Sequence, residues 1–92
     1  MKELEEVWIF NGENAKFPSA IFSDKSKAIE WIGRLALTGI LTKYPVDIPV
    51  YDWAIANGDF KIKTPRDTQS EFVGKFSSAS QEHMHFEDGQ FE

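Results

Sequence analysis

Apolar and polar positions along this chain follow two periods, and each change of period marks an element. Val7-Trp8-Ile9-Phe10 is a β-branched and aromatic run closed by Asn11-Gly12, which predicts a first strand over residues 5–10. Its four consecutive apolar residues predict burial on both faces. A polar loop over residues 13–18 leads to Ser19-Ala20-Ile21-Phe22, a second strand expected to lie antiparallel to the first. The period then becomes helical. Ser23 or Asp24 can accept from the free amides of a first turn, and Ala28, Trp31, Ile32 and Leu35 recur at i, i+3, i+4 and i+7. A helix over residues 24–38 follows, with its apolar stripe on a sheet, Trp31 in the core and Gly39 in the left-handed conformation that ends it. Gly33, inside this helix, marks either close packing or a neutral drift.

Ile40 to Tyr44 reads as a third strand, stopped by Pro45. Asp47, Pro49 and the Asn57-Gly58 pair bracket a short second helix over residues 48–57, in which Asp47 is the expected N-cap, Asp52 complements the helix dipole and Trp53 is core. Phe60-Lys61-Ile62-Lys63 alternates like a short edge strand. Residues 64–70 form a polar loop, and Phe72 and Phe76 fit a helical turn or a strand equally well. After the serine-rich break at Ser77-Ser78-Ala79-Ser80, Glu82 to Phe86 makes a final strand. The expected fold is therefore α+β: a small, mainly antiparallel sheet of four or five strands with the main helix (about 24–38) on one face and the second short helix (about 48–57) at an edge or end.

With 92 residues the chain is expected to form a single domain spanning residues 1–92, with residues 1–4 and 90–92 as loose ends. Eight Phe, three Trp and two Tyr are enough bulky side chains to close one core without staples. Cysteine is absent, which removes disulfides, thiolate metal sites and cysteine nucleophiles and leaves His and carboxylates as the metal-ligand types. The excess of 15 acidic over ten basic residues, with the basic ones scattered, argues against a nucleic-acid partner. No segment has the length of a membrane span, and Met1 to Glu6 is acidic where a secretory leader needs an apolar stretch, so a cytoplasmic protein is expected. No glycine-rich phosphate loop and no Gly-x-Ser-x-Gly elbow occurs.

Both histidines sit in one run, Gln81-Glu82-His83-Met84-His85-Phe86-Glu87-Asp88-Gly89. In a strand, His83, His85 and Glu87 share a face, and Glu82, Met84 and Phe86 share the other. Two imidazoles and a carboxylate on one face can hold a divalent metal, with Asp47 or Asp52 as a further donor, or act as an acid/base pair. The plainer reading is two histidines that hydrogen-bond across a sheet. Asp47, Tyr51 and Asp52 form a second polar candidate, either as helix-start structure or as the floor of a pocket where the Tyr44 or Tyr51 hydroxyl meets the histidine face. No lysine or arginine follows Lys75, so the C-terminal strand is an acidic end that attracts a basic partner surface.

Four stretches, VWIFNGENAKFPS (7–19), LTGILTKYPVD (37–47), YDWA (51–54) and SASQEHMHFEDG (78–89), resemble a family of small bacterial proteins without an assigned activity. The resemblance covers residues 7 to 89, implies a bacterial, single-domain, cytoplasmic protein and supplies no catalytic residues. The leading functional expectation is a non-enzymatic protein-interaction module without a cofactor. Its partner is another protein or, as a homodimer, itself, and contact is made through the C-terminal strand with Phe86 and Phe91. The alternative is a metal-binding protein or small metal-dependent enzyme centred on His83, His85 and Glu87.

Overall fold

The computed structural model describes residues 5–92. The expected loose residues 1–4 lie outside that range. Five strands, β1 (Glu6–Gly12), β2 (Ala20–Phe22), β3 (Gly39–Pro45), β4 (His83–Glu87) and β5 (Gln90–Phe91), form one antiparallel sheet in the order β2-β1-β3-β4-β5. Helix α1 (Lys25–Arg34) crosses one face, and between β3 and β4 lie α2 (Val50–Ala56), a 3-10 turn (Pro65–Thr68) and α3 (Ser70–Gly74).

Asp24 starts α1 as the sequence implies, its carboxylate accepting from the Ser26 amide at 2.9 Å and the Ser26 hydroxyl at 2.6 Å. Those two bonds hold the Asp24 carboxyl below its ordinary range, the hydroxyl contributing most. The stripe of α1 buries Ala28 and Ile32 completely against Trp8, Phe10, Leu41 and Phe86. Trp31 packs edge-on to Phe10 with ring centroids 5.6 Å apart, a core role as expected.

The helix ends four residues before the expected point, and Gly39 is not its terminator. Leu37 N–H bonds to the Ile32 carbonyl and Ala36 N–H to the Gly33 carbonyl, a Schellman turn in which Ala36 takes the left-handed φ of 53°. The apolar contact of Leu37 with the core accompanies that turn and fixes it earlier than the glycine signal does. Gly39 instead begins β3, because a Cβ there would strike the Asn11 carbonyl and approach the Phe10 ring to 2.7 Å.

Further departures from expectation lie between β3 and β4. Ile48 precedes Pro49 and is thereby disfavoured from helical geometry, so Pro49 rather than Asp47 is the N-cap of α2, and Asp47 occupies a turn at φ 64°. Phe60 to Lys63 forms no strand. Phe60 is instead drawn into an aromatic cluster with Tyr51, Phe72 and Phe76, at centroid distances of 5.0 to 6.4 Å. Phe72 and Phe76 enter it from α3 and the residues just after, which decides their ambiguity in favour of a helix. At the chain end, Gln90 and Phe91 are not loose. Asp88 and Gly89 take φ of 51° and 84°, as a two-residue type I′ turn requires, and return the chain onto β4.

The molecule measures 45 × 37 × 20 Å. A thickness of 20 Å holds one sheet and one helix layer. Among the described residues, the face of the sheet opposite α1 therefore carries no second layer.

Candidate functional site

Strand alternation and register define the uncovered face. Trp8 and Phe10 point to α1, so Val7, Ile9 and Asn11 point away; Thr42 and Ile40 lie opposite Ile9 and Asn11 on β3, with Tyr44 opposite Val7. Ile21 pairs with Ile9 from β2, and His83 and His85 pair with Thr42 and Ile40 from β4. Ile21 is 67% exposed and Ile40 38%, while Val7 and Ile9 are half-buried. The expectation that β1 is buried on both faces is corrected here, since among the described residues no second layer lies over this face and Val7 and Ile9 stay half-buried.

His83, His85 and Glu87 do share a face, and all three are exposed, whereas Met84 is half-buried and Phe86 is 2% exposed on the opposite side. Phe86 is thus a core residue. Its register partner Phe91 is exposed at the sheet edge, with the two rings 6.0 Å apart.

The His83 and His85 rings meet edge to face with centroids 5.2 Å apart. His83 Nδ1 lies 2.7 Å from the Gln81 carbonyl, which can only accept, so Nδ1 carries the proton and in the neutral ring Nε2 keeps its lone pair. Gln81 is itself 4% exposed and its Nε2 donates to the Lys43 carbonyl at 3.3 Å. That bond ties the residue that orients His83 to the neighbouring strand. Sequence reading passed over Gln81, although a glutamine two residues before the first histidine was the available signal.

Glu87 does not join the pair. It stands four residues from His83 on an extended strand, roughly 13 Å along it. Among the described residues no group of three or more His, Asp or Glu gathers to hold a metal ion. Tyr51 and Asp52 do not join the histidines either. The Tyr51 hydroxyl donates to the Asp67 carbonyl at 2.7 Å inside the aromatic cluster, and Asp52 is exposed in the first turn of α2. The Asp67 carboxylate accepts from the amides of Lys63 and Thr64, and these, Lys63 first, hold it below its usual range.

Charge is sorted between the two sheet faces. Lys43, the one basic residue among the five strands, points to the α1 side and bridges Glu6 at 3.3 Å and Glu82 at 3.2 Å; Lys25 also reaches Glu82, at 3.4 Å. Lys43 and then Lys25 hold the Glu82 carboxyl below its ordinary range, and Glu82 followed by Glu6 raises Lys43. The strands of the open face carry no lysine or arginine on this side, and Glu87 is their one carboxylate there, at the rim of that face. At its end the β1–β2 loop, Ile40, His85 and Glu92 enclose a shallow depression of about 350 Å³. A second depression, of about 380 Å³, opens beside Phe72 and Phe76 between Arg66 and Lys75 and shares no residue with the first.

No helix among the described residues is long and apolar enough to cross a membrane. A family model described as a domain of unknown function, DUF7710, matches residues 7–92, and the chain belongs to that family. No curated protein and no solved structure matches it.

Proposed function

We propose that this member of the DUF7710 family is a non-enzymatic protein-interaction module whose contact surface is the open face of the sheet. One observation carries the reading. Strands β1, β2 and β3 bear apolar residues at successive positions, the pattern of strands covered on both sides, while α1 covers only one. The side chains left over, Val7, Ile9, Ile21, Ile40 and Tyr44, fall in three adjacent cross-strand rows of β1, β2 and β3, with Thr42 and Asn11 between them. Exposed apolar surface of this kind marks a binding face more often than a solvent face. The sheet edges fit the role less well, because β2 has three residues and β5 two, which leaves a short ladder for an added strand.

The same reading takes the protein to be bacterial and cytoplasmic, which rests on the resemblance over residues 7–89. Metal-dependent catalysis is the second reading. It draws on the oriented His83 ring, but within one chain it lacks a third donor among the described residues.

The test places a photo-crosslinking amino acid at Ile40 on the open face or at Lys27 on the exposed side of α1, in cells producing the protein. Discrete adducts from Ile40 and none from Lys27 are expected. Equal labelling from both sites, or none from Ile40, overturns the assignment of the contact surface.

A further inference from the structure

Resting on that reading, we infer that the occupant of the open face is a second copy of this chain, and that the four histidines His83 and His85 of the two copies hold one zinc-class transition-metal ion between them. Each chain supplies half a site. The His-x-His spacing on β4 sends both rings to the same side, and the Gln81 carbonyl fixes the His83 tautomer with Nε2 free, the second bond that metal-ligating imidazoles commonly make. A closed zinc site needs four donors, and no third one gathers beside the pair among the described residues. A two-fold related copy supplies the missing two.

The register allows this arrangement without moving the backbone. Phe10, Leu41 and Met84 lie in one cross-strand row, and Met84 stands between the two histidines. A two-fold axis parallel to that row, midway between two facing sheets, sets His83 of one copy over His85 of the other and keeps all five strands overlapping. Facing sheets pack about 10 Å apart, so imidazoles from each side meet near the middle plane. Such an interface is isologous and closes at two copies.

Charge and area favour a copy over an unrelated protein. The chain carries a net charge of −5, so most approaches of two copies are repulsive, but the open face has no lysine or arginine on its strands, and its acids, Glu87, Glu92 and Glu13 of the β1–β2 loop, stand at the rim and leave the centre neutral. Neutral surface meets neutral surface. Five strands, the central ones of seven residues and the edges of three and two, make a footprint of roughly 400 Å², below the roughly 800 Å² per partner of a standard stable interface. Apolar contact alone thus gives a weak pair, and the shared metal makes it stable.

Multi-angle light scattering during size-exclusion chromatography tests this on the purified full chain, first in EDTA and then with Zn²⁺ at one ion per two chains. The expected result is a shift with zinc to twice the 10.5 kDa chain mass and a tightening of self-association by at least about tenfold. A His83→Ala/His85→Ala variant, whose exposed positions leave the melting curve in EDTA unchanged, stays monomeric with zinc, and so does Ile40→Lys. Zinc binding without a change in mass, or equal dimerisation in EDTA and zinc, overturns the shared site. A monomer under every condition also overturns it; if Ile40 still crosslinks to a different protein in cells, the interaction reading survives, and if it crosslinks to nothing, both fall.

Discussion

Substituting Gly89 by alanine should loosen the strand that carries both histidines, and the size of the effect can be worked from the hairpin turn. Gly89 sits at φ 84°, where an alanine costs about 1 kcal/mol relative to glycine. Its new Cβ would also lie 2.9 Å from the Ala36 Cα and 3.1 Å from the carbonyl oxygens of Gly33 and Ile32. All three are backbone atoms and cannot rotate away, so the turn must lift off the end of α1. Lifting it strains two hydrogen bonds, Gly89 N–H to the Leu37 carbonyl at 2.8 Å and Asp88 N–H to Thr38 Oγ1 at 3.0 Å, each worth about 1 kcal/mol. The total is about 3 kcal/mol, a fall in Tm of roughly 12–24 °C for a domain of this size. Urea unfolding followed by tryptophan fluorescence measures it. Two other glycines separate the contributions. Gly58 has φ 78°, and a methyl group there would meet nothing within 4 Å, so Gly58→Ala should cost only the backbone share of about 1 kcal/mol. Gly74 is neither left-handed nor crowded, and Gly74→Ala should be within about 0.5 kcal/mol of the wild type. If Gly89→Ala costs no more than Gly58→Ala, the contact between hairpin and helix does not hold the turn, and the reasoning fails.

Ala36→Gly should raise stability by about 1 kcal/mol, because an exposed residue at φ 53° gives up little packing and gains a relaxed backbone; a urea midpoint at or below that of the wild type contradicts the Schellman assignment. Tyr51→Phe keeps the aromatic cluster but removes the hydroxyl bond to the Asp67 carbonyl, and a loss of about 1 kcal/mol is expected by thermal unfolding; an unchanged Tm would show that water replaces that bond without cost. Glu82 has a folded-state pKa lowered by Lys43 and Lys25, so its contribution is present above the ordinary carboxylate range and is lost as pH falls through the folded value. Glu82→Gln should therefore be less stable than the wild type at neutral pH, and the two stability curves should converge as pH falls through that folded value. A gap that stays constant through that value would show that the ion pairs are not its source.

What the sequence made legible follows from where the physics is local. The α1 start was readable because Asp24 caps it through its own neighbours, and the shared face of His83 and His85 because strand alternation is a property of two bonds. The end of α1 was not, because two signals competed: Gly39 advertised a terminator, but the burial of Leu37 decided in favour of a turn at Ala36. Phe60 to Lys63 misled for a related reason. Its alternation matched a strand, while the force acting on Phe60 was the attraction of three other aromatic rings distant in sequence. Within the candidate site, the role of Gln81 depended on a bond to Lys43 that crosses 38 positions, beyond the reach of any local pattern.

The reading of β1 as a strand covered on both faces was overturned by the single chain, yet its physical basis stands. Selection for a soluble monomer would replace Ile9, Ile21 and Ile40 with polar residues at no cost to the core, since Trp8, Phe10, Leu41 and Phe86 already fill the space beneath α1. Polar residues do occupy the same face toward its margins, as Asn11 and Glu87 do. Apolar residues persist at its centre, flanking two histidines whose strand is held by a buried glutamine on one side and a hairpin docked on a helix end on the other. A pair of imidazoles beside uncovered aliphatic surface is the arrangement on which the proposed interface rests, and under that proposal a second copy brings the other half.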